Sequence, residues 1–152
     1  MATSADPEPA DPGTEGAAFL LTQLGSHAAA RFAERVAEIG VSLRQAGLLR
    51  WIGRNPGRSQ RELAEQFGVR PSRVVVLVDE LERQGLIRRA PRPGDRRTRL
   101  LELTEHGRRT LRSVGTALRR HEDEFLAALT PAERTALTGL LERVAAHQGI
   151  GR

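Results

Sequence analysis

Apolar side chains recur every three or four positions along most of this chain, and the places where that rhythm breaks divide it into elements. Over residues 17–39, Leu20, Leu24, Ala28, Phe32, Val36 and Ile39 keep helical spacing, which predicts a first amphipathic helix closed by Gly40. Ser42 is placed to cap a second helix over 43–54 that carries Leu48, Leu49, Trp51 and Ile52. Asn55-Pro56-Gly57 breaks it. Ser59, followed three residues later by Glu62, is a capping box that opens a short helix through Leu63, Ala64 and Phe67, ended by Gly68. Pro71 suits the first turn of another helix that ends at Gly85. There Val74, Leu77, Val78 and Leu81 form an apolar back, while Ser72, Arg73, Val75, Val76, Asp79 and Arg83 look outward.

The period then changes. Residues 86–90 and 98–103 read as short strands joined by the polar, turn-rich stretch 91–97, a β-hairpin inside a helical chain. Thr104 caps a long helix to about residue 128, with Leu111, Val114, Leu118, His121 and Phe125 alternating by three and four, the stripe of a helix that packs on another. Thr130-Pro131-Ala132-Glu133 is a second capping box, and the last helix is expected to bury Leu137, Leu140, Leu141 and Val144. The fold class expected is therefore mainly α with one small β-hairpin. Residues 1–16, made of Pro, Gly, Asp and Glu with little to bury, are expected to form a disordered acidic tail.

Composition narrows the function. A chain of 152 residues holds one domain with no room for a separate catalytic one. The absence of Cys excludes disulfides, thiolate metal sites and Cys nucleophiles, and no apolar run nears the roughly 18 residues of a membrane span, so a cytoplasmic protein with no membrane partner is expected. Net charge is +5, and because residues 1–16 contribute four acidic groups and no basic one, the remainder carries +9. Such a body favours a polyanion. Yet all 24 basic residues are Arg and none is Lys, as strong codon bias alone would produce, so position must carry the inference.

Position does carry it. Over 59–85, two helices meet at a tight turn, and the second has an apolar back and a polar front that starts at its N-terminus, the form required to lock on a domain and reach base edges in a major groove. Directly after it come Arg88, Arg89, Arg92, Arg96, Arg97 and Arg99 around a Pro- and Gly-rich tip, with Asp95 the one acid among them. Like charges that dense repel unless a polyanion neutralises them, as a wing over double-stranded DNA would be.

The stretch 95–107, Asp-Arg-Arg-Thr-Arg-Leu-Leu-Glu-Leu-Thr-Glu-His-Gly, resembles the wing signature of the multiple-antibiotic-resistance regulator (MarR) family, as the segments around Ser59–Ala64 and 71–87 resemble its helix-turn-helix. The resemblance covers residues 17–148 and implies a winged helix-turn-helix, with a DNA-binding lobe at about 42–104 and dimerisation helices at about 17–39 and 105–148. It implies a sequence-specific transcriptional regulator, in the main a ligand-responsive repressor on a pseudo-palindromic operator, acting as a homodimer. It implies that Asp95 pairs with Arg97 to fix the wing tip, and that Arg97, with Arg96, enters a minor groove, where narrow A·T tracts concentrate negative potential. Arg92 and Arg99 belong to the same wing.

Ser59, Gln60 and Arg61 are placed to hold phosphates, although capping alone accounts equally well for Ser59. Ser72, Arg73 and Val76 are expected at base edges, with Arg70 near the backbone or a guanine. Exposed Val75 and Val76 have two readings, partial burial against the neighbouring helix or contact with thymine methyls. Dimer candidates are Phe125, Leu126, Leu129, Leu137, Leu140, Leu141 and Val144. The resemblance also implies a small aromatic or anionic effector in a cleft between the two parts. His27, Arg31, Trp51 and His121 are candidates to line it, against the alternative of a core aromatic and interface histidines.

No cofactor and no metal are expected: no two of His27, His106, His121 and His147 share helical i, i+4 spacing. An enzyme lacks a phosphate loop, a nucleophile elbow or paired carboxylates here. A non-specific architectural DNA protein would share the charge but would not need a groove-reading helix.

Overall fold

A computed structural model of the chain describes residues 16–150; the side chain of Arg96 is outside the description, and so is the acidic stretch 1–15. Six helices and three short strands follow in the order α1 (Ala17–Glu38), α2 (Leu43–Arg54), β1 (Arg58–Ser59), α3 (Gln60–Phe67), α4 (Pro71–Arg83), β2 (Ile87–Arg92), β3 (Asp95–Leu103), α5 (Glu105–Phe125) and α6 (Pro131–His147). The strands make one antiparallel sheet in the order β1-β3-β2. The mainly helical class with a β-hairpin is as the sequence predicts.

Capping sets the boundaries. The Ser42, Ser59 and Thr130 hydroxyls accept from backbone amides three residues on, while Gln45, Glu62 and Glu133 reach back to the cap amide, so three helices begin on complete capping boxes. Gly68 ends α3 with φ of 59°, a left-handed turn that leads directly into Pro71 of α4.

The core lies between α2, α3, α4 and the sheet. Leu49, Ile52, Leu63, Val74, Val78, Leu81, Ile87 and Leu101 are almost wholly buried there, with Val36 of α1 closing one side. Each such aliphatic contributes about 1.5–3 kcal/mol by leaving water. Because Val74, Val78 and Leu81 take the apolar back of α4, its opposite face is held outward by the same packing.

Three expectations need correction. A third strand, β1, pairs Arg58 with Leu101 and Ser59 with Leu100; two residues carry no period to detect. The turn-rich stretch 91–97 is mostly strand, since β2 runs to Arg92 and β3 begins at Asp95, leaving only Pro93 and Gly94 at the tip. The last helix buries nothing: Leu140, Leu141 and Val144 of α6 are exposed and Leu137 is half-buried, because no element of the same chain lies over that face. Phe19, Leu20, Leu21 and Leu24 at the start of α1 are exposed as well.

One joint welds the start of α5 to the end of α4. Leu86, just past α4, turns its carbonyl to the Thr104 amide at 3.1 Å, and the Thr104 hydroxyl donates to the Gly85 carbonyl at 2.6 Å while accepting from the Gly107 amide at 3.0 Å. Gly107 sits against the Leu86 carbonyl with no space for a Cβ.

Candidate nucleic-acid interface

The outward face of α4 and the wing form one cationic surface. Arg70, at the N-cap of α4, and Ser72 and Arg73 in its first turn are exposed, as are Arg97 and Arg99 on β3. Among the described residues, no carboxylate stands within ion-pair distance of Arg70, Arg73, Arg97 or Arg99. The acids nearby are engaged elsewhere: Glu65 with Arg61 at 3.1 Å, Glu62 with Arg58 at 2.7 Å and Arg92 at 3.9 Å, Glu102 with Arg88 at 2.7 Å.

The wing tip owes its shape to an irregular ladder. Pro91 faces Arg99, but Arg92 faces Asp95, so residues 96–98 bulge from β3 without a partner on β2. Asp95 satisfies the donors this leaves: its carboxylate accepts from the Thr98 hydroxyl at 2.6 Å, the Arg97 amide at 2.9 Å and the Thr98 amide at 3.4 Å. These bonds, the Thr98 hydroxyl foremost, hold the Asp95 carboxyl below the usual carboxylate range. The expected pairing of Asp95 with Arg97 is thus made by the Arg97 backbone, which leaves the guanidinium free to project.

One arginine of the expected DNA-facing wing cluster instead fixes wing to helix. Arg89 of β2 lies half-buried, ion-paired with Asp79 and Glu82 of α4, and donates to the Gln60 side chain of α3 at 3.3 Å. Burial works against its charge, and the two carboxylates outweigh it, so its affinity for the proton rises. Gln60 is therefore tied to this network. The signal was present: two acids three apart on the flank of α4, and an arginine on the inner side of the next strand.

Ser59 has a complete capping role, since its amide and hydroxyl donate to Glu62 at 2.7 and 2.9 Å and its hydroxyl accepts from the Glu62 amide. Those bonds, the Ser59 amide first and Arg58 next, hold the Glu62 carboxyl at about 2. A folded-state value below the ordinary 4.5 stabilises the fold above pH 4.5, and that contribution is lost as pH falls toward 2. Circular-dichroism melts at pH 5 and pH 2.5 should show a smaller loss of melting temperature for Glu62→Gln than for the parent chain.

Val75 and Val76 are 40% and 56% exposed, so burial against a neighbouring helix does not account for Val76.

The four candidate effector residues are scattered. His121 is buried between Phe32 and Phe125, 5.5 Å from each ring, and His27 lies 6.1 Å from Phe125. Arg31 is exposed beside Glu34, and Trp51 packs on the core with its edge toward Phe67. None of the four lines the two cavities, of about 750 and 490 Å3, that adjoin along the seam between α2 and α5 and share Gly53, Leu111, Gly115 and Arg119. Of the dimer candidates, Phe125, Leu126, Leu129 and Leu137 are half-buried, whereas Leu140, Leu141 and Val144 are exposed.

Among the described residues no helix is long and apolar enough to cross a membrane.

Comparison with known proteins agrees with this architecture. A family model described as the MarR family matches residues 39–98. A Thauera aromatica protein named for transcriptional regulation of the hcr operon is 41% identical over 105 residues, 69% of this chain and 63% of its own length, so this chain spans less than two thirds of that relative. Among solved structures, the transcriptional repressor CouR bound to a 23-mer DNA duplex superposes with a TM-score of 0.75 at 32% identity, covering 86% of this chain and 92% of that one. CouR from Rhodococcus jostii RHA1 bound to p-coumaroyl-CoA gives 0.69 at 28% identity over 84% and 90%. With the outward polar face of α4, the Asp95-braced wing and these likenesses together, the chain belongs to the MarR family of transcriptional regulators.

Proposed function

We propose that this protein is a cytoplasmic, ligand-responsive repressor that binds a pseudo-palindromic operator as a homodimer, with residues 42–104 on the DNA and residues 17–39 and 105–148 forming the dimer. The observation that carries the DNA reading is the row of unpaired guanidiniums at Arg70, Arg73, Arg97 and Arg99 along one recognition helix and its wing. Ser72, Arg73 and Val76 meet base edges, Arg61 and Arg70 the phosphates, and Arg97, with Arg96, the adjoining minor groove. Ser59 and Gln60 position the helix that carries them. A repressor solved on a DNA duplex, at 32% identity, supports this assignment.

Dimerisation follows from uncovered apolar surface. Phe19, Leu20 and Leu24 of α1 and Leu140, Leu141 and Val144 of α6 are exposed in the single chain, and a second copy removes both sets from water. The effector reading rests on the cavities between α2 and α5 and on the relative solved with p-coumaroyl-CoA. A ligand that prefers the geometry in which the two recognition helices cannot engage adjacent grooves weakens operator binding by its differential affinity, typically about 1–3 kcal/mol.

Selection of bound duplexes from a random pool tests the reading. Inverted half-sites with centres about 10 bp apart are expected, with thymine enriched where Val76 reaches. A pool with a single half-site, or with no symmetry, would reject the dimeric operator.

A further inference from the structure

The two cavities along the α2–α5 seam differ from a site for a small monoanion in their charge. Six arginines line them, Arg50 and Arg54 from α2, Arg88 from β2, and Arg108, Arg112 and Arg119 from α5, against a single lining carboxylate, Glu102. Glu102 is held by Arg88 at 2.7 Å, and Glu105, at the edge, lies 3.4 Å from Arg108 and 3.7 Å from Arg112. Among the described residues, Arg50, Arg54 and Arg119 have no carboxylate within ion-pair distance, and Arg119 donates only to the Thr116 hydroxyl.

The charges are also unevenly spread. The smaller cavity, toward α1, is walled by Phe32, Leu43, Ala46, Val114 and Leu118 together with Arg50, Arg54 and Arg119, and has no acid. The larger opens toward the sheet and takes Arg88, Arg108 and Arg112. Glycines keep the passage between them open: Gly53 and Gly115 lie in both walls, and a Cβ on Gly53 would come within 2.7 Å of Leu111. Each volume is in the range that holds a drug-sized molecule.

From this arrangement we infer that the effector is an aryl thioester of coenzyme A, its aryl group against the apolar residues of the smaller compartment, under Phe32, and its phosphates on the arginines that line the two. This rests on the ligand-responsive reading above and names the ligand class. A single carboxylate engages one or two guanidiniums and leaves the others repelling each other. A diphosphate and a 3′-phosphate spread along the groove engage them together, because guanidinium forks match phosphate oxygens. A duplex would not enter an apolar compartment, although DNA is the competing polyanion.

Isothermal titration at fixed salt, with gel shifts on the selected operator, separates these outcomes. The probes are benzoyl-CoA and cinnamoyl-CoA, with benzoate, cinnamate and free coenzyme A. At least one thioester is expected to bind ten times more tightly than its free acid and than coenzyme A, and to release the operator. Arg54→Gln/Arg119→Gln should lose at least tenfold in thioester affinity with operator affinity within twofold of the parent. Gly47→Leu, whose Cβ meets nothing within 4 Å, fills the apolar compartment and should bring thioester affinity down to that of coenzyme A.

A free acid that binds as tightly as its thioester overturns the inference and leaves the ligand-responsive reading standing. An unchanged thioester affinity in the double variant overturns the assignment of the arginines, and a fall in its operator affinity assigns them to DNA instead. If no probe binds while the operator is still bound, the effector class fails and the DNA-binding reading does not.

Discussion

Gly107→Ala is expected to unfold or severely destabilise the protein, although alanine is a better helix former than glycine by about 1 kcal/mol. Gly107 is in the first turn of α5, and a Cβ there would be driven into the Leu86 carbonyl oxygen and come within 2.9 Å of the Leu86 carbonyl carbon. Neither atom can retreat, because that carbonyl is the acceptor for the Thr104 amide and Leu86 itself is buried in the core. Relief requires α5 to lift from the end of α4, breaking the Thr104 bonds that join them. Overpacking against backbone belongs to the large-effect class, and about 3 kcal/mol or more is expected, a fall in melting temperature of roughly 6–12 °C for a chain this size. Gly115→Ala is the control: in the same helix, its Cβ meets nothing closer than Arg119 Nη1 at 3.7 Å, and a small rise in melting temperature is expected. Equal melting temperatures for the two variants would show that the Leu86 contact is not rigid.

Arg97→Ala should behave in the opposite way, leaving the fold intact and removing affinity. Its side chain is exposed with no ion-pair partner, so the melting temperature should move by no more than about 2 °C. Its backbone amide, which Asp95 uses to brace the bulge, is unaffected by the substitution. On the proposed reading Arg97 enters a groove, where an arginine contact is worth about 1–3 kcal/mol, and a homodimer would lose two such contacts at once. Operator affinity should therefore fall by at least about 2 kcal/mol, roughly thirtyfold, measured by fluorescence anisotropy at fixed salt. Arg97→Lys keeps the charge but not the planar fork and should recover only part of the loss.

What was legible in the sequence was whatever repeats or caps. The spacing of Val74, Val78 and Leu81 oriented α4, and the Ser59 and Thr130 boxes marked helix starts to within a residue. The rest depends on partners distant in sequence. Arg89 looks like one more wing arginine until the hairpin folds it against Asp79 and Glu82. Asp95 was rightly singled out, but a carboxylate beside two arginines suggests a salt bridge, and only the shift from Pro91↔Arg99 to Arg92↔Asp95 exposes the amides it serves instead. Leu140, Leu141 and Val144 read as buried, and as dimer candidates, because periodicity reports that a face is apolar, not what covers it. The cavity arginines are far apart in sequence and share no motif: Arg54 of α2 comes near Arg112 and Arg119 of α5 only across the α2–α5 seam.

Discrimination between DNA sequences tests the central claim most directly. The protein should bind duplexes recovered by selection at least about 10³-fold more tightly than scrambled duplexes of the same length at the same salt. A ratio near one, with affinity governed by salt alone, would contradict it and leave a basic protein that holds DNA without reading it.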